Sequence, residues 1–297
     1  MEFPLIDHAV DGALGAVVHV PMAFDHLEPL GLCPLLEQPL PYPPGPAPAP
    51  PPPLGSREPL RLIAFGYMGI NRRLEGIFQA MATFDQPERL QLDLYGELYD
   101  PGAVADLVTH WQLDDRVTLH GFVPEAHLDA ALAASHLALN LRYPSMGEAS
   151  GSQLRIFDRA RGSLVTRTGW YATLPLDAVG FVDPDPQREV MDLHRHWRQL
   201  LADPRALATM GAAGRRHLET HHCPEAYVDG LLALLPHAVR WRTGWAGRWL
   251  TRRAGEELAA WGLTRRALDM ERLTSLCGGM WPEVGATSRG QRAVRGE

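Results

Sequence analysis

A segment between residues 140 and 155 combines a carboxylate with a run of small residues. A proline and a glycine in this segment predict a turn that presents the side chain of Glu148. A predicted helix begins directly after the turn, at Ser150, Gly151 and Ser152. Small residues at a helix start leave backbone N–H donors open to an anion, and a neighbouring carboxylate accepts hydrogen bonds from hydroxyl groups. The segment therefore predicts a site for a sugar joined to phosphate; a plain helix cap at Ser150 beside an exposed Glu148 is the alternative.

A second candidate segment, Gly66 to Arg73, follows the first run of the regular part of the chain. Gly69 allows the backbone to approach a ligand closely, and Asn71 is a good N-cap for the helix that follows. Arg72 can bind a diphosphate through two N–H groups. The Gly-x-x-Gly spacing is common in proteins. The alternative interpretation, that Arg72 is only a solvated residue at a helix start, therefore stays open.

The elements that position these segments follow from apolar periodicity. Short apolar runs that end in glycine or polar residues predict six strands, at 61–66, 90–96, 116–120, 138–141, 163–166 and 179–182. Helical spacing lies between them, as in Leu74, Ile77, Phe78 and Met81. Alternating strands and helices predict an α/β fold, a Rossmann-like parallel sheet with helices on both faces. Ligands of such sheets bind beyond the carboxyl ends of the strands, where both candidate segments fall.

Composition divides the chain further. Ten prolines within residues 39–53 predict a polyproline II spacer, with an SH3-type ligand as the alternative. The predicted parts are an N-terminal segment (1–38) too small for a core, a proline-rich linker (39–56), the Rossmann-like domain (57–235), a helical extension (236–284) and a disordered tail (285–297).

Composition also excludes several function classes. All 28 basic residues are arginine, so Walker A loops, Schiff-base lysines and kinase-type lysines are excluded. The cysteines Cys33, Cys223 and Cys277 lie too far apart for a zinc ribbon or a redox pair. The net charge of −7 argues against nucleic acid as a partner. A start without basic residues, together with the lack of a long apolar run, predicts a cytoplasmic protein.

A tryptophan stripe lies in the arginine-rich part that begins at Arg240. Trp241, Trp245 and Trp249 recur at i, i+4 and i+8, and the net charge from Arg240 onward is +5. Packing of one helix against the rest of the protein explains the spacing. The alternative is peripheral contact of residues 240–253 with the inner face of the cell membrane, since aromatic and basic residues suit anionic headgroups.

Three motifs in sequence order resemble the nucleotide-sugar half of GT-B glycosyltransferases, particularly glycosyltransferase family 4. They are Val117 to Val123, Gly147 to Ser152 and Thr168 to Pro175, and the similarity runs from about Arg61 to Leu235. The resemblance implies a nucleoside-diphosphate sugar as donor and transfer with retention of configuration, without a metal or other cofactor. It also implies a glycan, lipid-linked or cell-surface polysaccharide as acceptor.

The resemblance implies roles for individual residues. Arg72 matches the basic residue that grips the donor pyrophosphate, and Glu148 matches the first glutamate of the family's E-x7-E signature, which contacts the transferred sugar. These two are the expected catalytic residues. The expected donor-binding residues, with the nucleobase at Phe122 and Val123, are Gly69, Arg73, Gly96, Phe122, Val123, Ser150, Gly151, Ser152 and Gln153.

The chain departs from the family pattern in two places. The second glutamate of the signature usually holds the ribose hydroxyls, but Ile156 stands there, which leaves Gln153 or Arg155 as substitutes. The N-terminal segment resembles only the last strand and helix of the family's acceptor-binding domain. We therefore expect either a truncated product or an acceptor domain supplied separately.

The implied reaction passes through an oxocarbenium-like state in which the leaving diphosphate gains negative charge. Arg72 and the helix start at Ser150 would stabilise that charge electrostatically. Two other functions stay open: a binding module that holds nucleotide sugars without transferring them, and a nucleotide-sugar epimerase or hydrolase.

Two further patterns suggest metal binding, and for both a structural role is favoured. Asp183-Pro-Asp185 has the D-x-D form of metal-dependent transferases, but such a triplet arises easily. His217, His221 and His222 have a spacing that suits metal ligation, yet no third ligand follows at the spacing of a zinc protease.

Overall fold

Residues 6–262, which the computed structural model describes, contain two parallel β-sheets. The small sheet pairs β1 (Ala16–Val18) with β2 (Leu35–Glu37). The large sheet has six strands: β3 (Leu60–Phe65), β4 (Leu90–Tyr95), β5 (Val117–Gly121), β6 (Leu137–Asn140), β7 (Gly162–Thr166) and β8 (Gly180–Val182). Each of the six strands predicted from the sequence is present, with its ends within one residue of the predicted ones.

The α-helices lie before, between and after these strands. They are α1 (Ile6–Val10), α2 (Pro21–Leu27), α3 (Leu74–Thr83), α4 (Pro101–His110), α5 (Glu125–Ala134), α6 (Gly151–Asp158), α7 (Pro186–Ala202), α8 (Arg205–His221) and α9 (Pro224–Ala260). The predicted α/β fold, with a Rossmann-like parallel sheet and a helical C-terminal part, is confirmed.

The central strands of the large sheet are buried on both faces, whereas the outer strands β4 and β5 alternate between buried and more exposed residues. In β3, Leu60 and Leu62 pack on one face against a core that includes Phe78 of α3 and Trp197 of α7. Ile63, which follows Leu62, packs on the opposite face with residues of α5 and α6. Side chains that alternate between two buried faces produce the mainly apolar run of β3, in which only Arg61 is polar.

Strand order places the carboxyl ends of β3 and β6 side by side. The large sheet has the order β5-β4-β3-β6-β7-β8, and every neighbouring pair is parallel. The direction in which the chain adds strands reverses between β3 and β6, so the crossover helices leave a crevice there. Both segments with a chemical signature in the sequence follow these two strands.

The N-terminal segment shares a core with the large domain. Val18 and Leu27 are buried in one cluster with Trp170, which follows β7, and Leu218 of α8. This agrees with the small number of apolar residues in the segment, which cannot exclude water by packing only on one another.

The proline-rich run forms no helix or strand, and it is bound to the domain rather than detached from it. The Gly45 N–H donates to Asp158 Oδ1 at 2.7 Å, and the Gly45 carbonyl accepts from Arg215 Nη2 at 2.7 Å. Farther along, the Ala49 carbonyl accepts from Arg161 Nη1 at 3.0 Å. Because the run forms no helix or ladder, its carbonyl groups stay available to arginine side chains.

Helix α9 continues without a break from the domain into the predicted helical extension, and it runs through Pro236 to Ala260. Trp241 packs against the N-terminal core, and the Arg248 guanidinium lies 3.5 Å from the centre of its ring. Trp245 and Trp249 stack on each other and stay 37% and 53% exposed. Within residues 6–262 no helix is long and apolar enough to cross a membrane. Contact of residues 240–253 with a membrane surface stays a prediction, and the rest of the extension and the tail lie outside the described residues.

Acid is expected to destabilise the fold through His136. This buried side chain accepts a hydrogen bond at Nδ1 from the Arg61 N–H at 2.9 Å. Burial, with Arg61 acting in the same direction, lowers the pKa of His136 to about 4 from 6.5. Between pH 6.5 and pH 4 the unfolded chain therefore binds a proton that the folded one does not, and the free energy of unfolding falls by up to about 3 kcal/mol.

Urea unfolding at pH 7, 5.5 and 4.5 measures this effect. The variant His136→Asn keeps an acceptor near the position of Nδ1 and is expected to show a shallower loss of stability with acid. An equivalent change at the exposed His110 is the control and should keep the wild-type slope. Equal slopes for wild type and His136→Asn would contradict the prediction.

Candidate functional site

A buried arginine lies at the point where the strand order reverses. Arg72 ends a 3-10 turn in the loop after β3 and is only 4% exposed. Its Nη1 donates to Asn140 Oδ1 at 2.9 Å, and its Nη2 donates to the Phe65 carbonyl at 2.6 Å. Burial, followed by the charge of Arg142, lowers the pKa of Arg72 to about 10. The guanidinium is therefore charged at neutral pH, and the interior holds it through the ends of β3 and β6.

Asn140 connects Arg72 to the start of α6. Its Nδ2 donates to Gln153 Oε1 at 3.0 Å and to Ser150 Oγ at 3.4 Å. Gln153 is fully buried, and its Nε2 donates to Ser163 Oγ at 2.7 Å. The amide of Gln153 is thus used inside the protein, where it fixes α6 against the sheet. Ser150 Oγ accepts from the Gln153 N–H at 3.2 Å, so Ser150 caps α6. A helix cap at Ser150 was one of the two interpretations of the sequence.

The start of α6 is open to the crevice. The first N–H groups of a helix have no acceptor within the helix. A side chain added at Gly151 would meet no atom within 4 Å, and Ser152 Oγ lies 3.6 Å from the position that a Cβ on Gly66 would occupy. Backbone donors and a serine hydroxyl therefore line one end of the crevice, where the helix dipole favours an anion.

Glu148 lies beside this opening in an ion pair that the sequence analysis did not predict. Arg142 Nη1 lies 2.5 Å from Glu148 Oε1, and Glu148 Oε2 accepts from the Met146 N–H at 2.8 Å. Burial on its own would raise the pKa of Glu148, but the hydrogen bonds from Arg142 and the backbone lower it. Glu148 is therefore ionised at neutral pH. The one sequence feature that could have indicated this ion pair is the presence of Arg142 in the same short loop as Glu148.

Two buried donors in this region have no hydrogen-bond partner among the described residues. They are Arg142 Nε and the hydroxyl of Tyr171, which lies in the 3-10 helix Gly169–Thr173 after β7. Arg142, Tyr171 and Glu148 all influence the pKa of Arg72, so the four groups form one electrostatic cluster. Buried donors normally have acceptors, and these two are available to a bound acceptor.

Arg73 turns away from this cluster. Its backbone has φ +61°, and its Nε and Nη2 donate to the two carboxylate oxygens of the fully buried Glu189, at 2.8 and 3.2 Å. Arg73 also occupies the N-cap of α3, so the prediction that Asn71 caps this helix is wrong. The left-handed cap leaves Asn71 in the preceding turn, where its carbonyl accepts from the Tyr143 N–H at 2.8 Å. Gly69 begins that turn, and its carbonyl accepts from the Arg72 N–H at 2.9 Å.

Gly96, Phe122 and Val123 differ in their surroundings and in their exposure. Gly96 has φ +119°, its N–H donates to the Gly121 carbonyl at 2.7 Å, and its backbone packs on Gly66. Phe122 is 86% exposed, whereas Val123 packs against the core between the sheet and α5. All three lie in the loops at the carboxyl ends of the strands, but only Val123 contacts the interior.

A cavity of about 580 Å³ lies next to the open start of α6. The residues around it belong to the ends of β3, α5 and α6 and to the proline-rich run. They include Tyr42, Phe65, Gly66, Glu125, Leu128, Asp129, Ser152 and Arg155. Its size is that of a small-molecule site.

The patterns that suggested metal binding have structural roles. Asp185 caps α7, where its Oδ1 accepts from the N–H groups of Gln187 and Arg188, both at 3.1 Å. His217 and His221 stack with ring centres 4.4 Å apart. Among residues 6–262, no group of three histidine, cysteine or acidic side chains has a geometry that would hold a metal ion.

Comparison with known proteins gives a likeness in structure only. No family model and no curated protein matches the sequence. Similar solved structures include a mutant of S. aureus TarM with fondaparinux, alpha-GlcNAc-glycerol and UDP, at a TM-score of 0.63, 14% identity and coverage of 76% of this chain and 45% of that one. The structure of Anabaena HepE with UDP and glucose has a TM-score of 0.62 and 13% identity, and the match covers 79% of this chain and 66% of that one. WaaG, a glycosyltransferase involved in lipopolysaccharide biosynthesis, has a TM-score of 0.55 and 16% identity, and the match covers 72% of this chain and 61% of that one.

These values show a shared fold. The chain spans between about half and two thirds of the length of these three structures. In each comparison the matching part covers most of the present chain, with less than 20% identity. The chemistry of this chain therefore has to be argued from its own residues.

Proposed function

We propose that this chain forms the donor site of a glycosyltransferase of the GT-B type, which moves a sugar from a nucleoside-diphosphate sugar to an acceptor. The observation that carries the proposal is the cluster at the carboxyl ends of β3 and β6. There the buried Arg72 is linked to the start of α6 through Asn140, and Arg142 pairs with the ionised Glu148 in the loop that leads into α6. UDP in the TarM and HepE structures supports a nucleotide donor.

Each part of the cluster suits one part of such a donor. The diphosphate would lie at the start of α6, where backbone donors and the helix dipole favour negative charge. Arg72 and Arg142 add positive charge that stabilises the leaving diphosphate as the bond to the sugar breaks. Glu148 can accept hydrogen bonds from sugar hydroxyls once its contact with Arg142 is shared with the ligand.

The finer parts of the proposal rest on the motif resemblance. They are membership of family 4, retention of configuration and transfer without a metal ion. They also include an acceptor that is a glycan, a lipid-linked sugar or a cell-surface polysaccharide, used in the cytoplasm or at the inner face of the membrane. The description of WaaG as an enzyme of lipopolysaccharide biosynthesis supports an acceptor of this class.

Binding and product analysis test the proposal. Calorimetry with UDP, GDP, UDP-glucose, UDP-galactose and GDP-mannose is expected to show binding of at least one nucleotide and its sugar. Nucleotide released only when an acceptor mixture is present indicates transfer, and sugar released without acceptor indicates a hydrolase. A changed sugar configuration indicates an epimerase, and binding without turnover indicates a non-catalytic donor half. Failure of every nucleotide to bind would contradict the donor site.

Glu148 is expected to affect the sugar more than the nucleotide. The variant Glu148→Gln replaces the carboxylate that would accept hydrogen bonds from the sugar with a neutral amide. We therefore expect turnover to fall by about a hundredfold. The affinity for the free nucleoside diphosphate should stay within about twofold, since the start of α6 is unchanged. Glu75→Gln, at an exposed position in the first turn of α3, is the matched control and should keep both values. Turnover retained in Glu148→Gln would remove this residue from the site.

A further inference from the structure

The cavity beside α6 has the polarity of a nucleoside site. Its phosphate end is the open start of α6, with Ser152 and the neighbouring Gly66. Its lining also includes apolar and aromatic residues, among them Phe65, Leu128 and Tyr42 from the proline-rich run. A nucleobase is flat and largely apolar on its faces, and the ribose next to it carries two hydroxyl groups. A nucleoside in this cavity therefore needs a hydrogen-bond acceptor beside the ribose.

The aspartates of the cavity are already occupied. Asp129 Oδ1 accepts from Arg155 Nε and Nη2 at 2.9 and 2.7 Å, and its Oδ2 accepts from Arg159 Nη2 at 2.7 Å. Asp158 is 3% exposed, and its Oδ1 accepts from the Gly45 N–H and from Arg215 Nη1, both at 2.7 Å. Both carboxylates hold the walls of the cavity together, so they are poorly suited to bind a ligand as well.

The two substitutes that the sequence suggested are also occupied. Gln153 is buried, with both ends of its amide bound inside the protein. Arg155 pairs with Asp129, and its Nη2 also donates to the Glu125 carbonyl at 3.3 Å. Ile156 is 1% exposed and belongs to the core between the sheet, α5 and α6. Helix α6 therefore supplies no free carboxylate to the cavity.

Glu125 is the carboxylate of this cavity with free acceptor capacity. It is the first residue of α5, and its side chain is 89% exposed. Its Oε1 lies 3.8 Å from Arg155 Nη1, a distance too long for a hydrogen bond. We propose that Glu125 accepts the ribose hydroxyls of the donor nucleotide, while Arg155 and Asp129 fix the wall beside it. This inference rests on the proposed function, because it assumes that a nucleotide binds here.

Nucleotides without ribose hydroxyls test the inference. The experiment measures, by calorimetry, the affinity of wild type, Glu125→Gln and Glu125→Ala for UDP and GDP and for their 2′,3′-dideoxy forms. Wild type is expected to bind the ribonucleotide about tenfold more tightly than the dideoxy form. Glu125→Ala should lose about tenfold in affinity for the ribonucleotide and nothing for the dideoxy form, and Glu125→Gln should be intermediate. Glu88→Ala, at an exposed turn before β4, is the control for the lost charge.

The outcomes separate the inference from the proposed function. If wild type binds none of the nucleotides, the proposed function fails and the inference fails with it. If wild type binds the ribonucleotide but Glu125→Ala discriminates as well as wild type does, the role of Glu125 is overturned while the donor site stands. Equal losses for both nucleotide forms would also overturn it, because they indicate a general electrostatic effect. Thermal unfolding of each variant in the same buffer confirms that the fold is intact.

Discussion

Replacing Arg72 with alanine is expected to weaken nucleoside-diphosphate binding by at least about a hundredfold and to lower the free energy of unfolding by about 3 kcal/mol. The loss of stability follows because the Asn140 side chain and the Phe65 carbonyl would lose their donor inside the protein. The loss of binding follows because a positive charge disappears beside the start of α6. Asn140, which holds Ser150 and Gln153, would also lose its anchor.

The variant Arg72→Lys separates charge from hydrogen bonding. Lysine keeps the positive charge but cannot reproduce the planar pair of N–H groups, so an intermediate loss of about tenfold in affinity is expected. Calorimetry measures the affinity, and urea unfolding measures the stability of both variants. An unchanged affinity in a folded Arg72→Ala protein would show that the charge does not act on the ligand.

Gly96→Ala is expected to cost more stability than any other small substitution at the carboxyl ends of the strands. Gly96 has φ +119°, and an added Cβ would lie 2.0 Å from the Gly66 carbonyl oxygen. Neither backbone can give way cheaply, because the Gly66 N–H donates to the Tyr95 carbonyl at 3.0 Å. We expect the free energy of unfolding to fall by about 3 to 5 kcal/mol, through strain in φ combined with displacement of the loop after β3.

Gly102→Ala is the matched control for this change. Gly102 lies in the first turn of α4, and an added Cβ would be 3.5 Å from Asp100 Oδ1, an ordinary contact. Alanine should therefore be neutral there or stabilise the protein by up to about 1 kcal/mol. Urea unfolding compares the two variants with wild type. A Gly96→Ala protein as stable as Gly102→Ala would show that the two loops separate easily.

The strands were predictable because burial of both sheet faces leaves a simple pattern. The run Leu60–Phe65 alternates between two cores, so every position is apolar except Arg61 at its start. The place of the site was predictable for a related reason, since the loops that follow parallel strands meet at one end of the sheet. The loop that contains Ser150 and Glu148 lies at this end of the sheet, and Ser150 forms the helix cap that was one interpretation of the sequence.

Side-chain partners distant in sequence were not predictable. Arg73 stands next to Arg72, but the left-handed backbone at Arg73 directs the two guanidinium groups to different partners. One belongs to the crevice, and the other binds Glu189, which lies 116 residues later in the chain. Gly76 leaves room for this pair, because an added Cβ there would lie 1.8 Å from Glu189 Oε1. The spacing of residues along the chain cannot predict a contact between residues so far apart in sequence.

The docked proline-rich run changes where the molecule can be divided. Composition marks residue 57 as the natural place to begin a minimal fragment, yet such a fragment would lose the Tyr42 ring and the backbone that satisfies Arg215. Asp158 would then face water with one donor fewer. The segment that composition marks as a linker thus forms part of the wall of the candidate cavity, and removing it would change the surface that the fragment was meant to isolate.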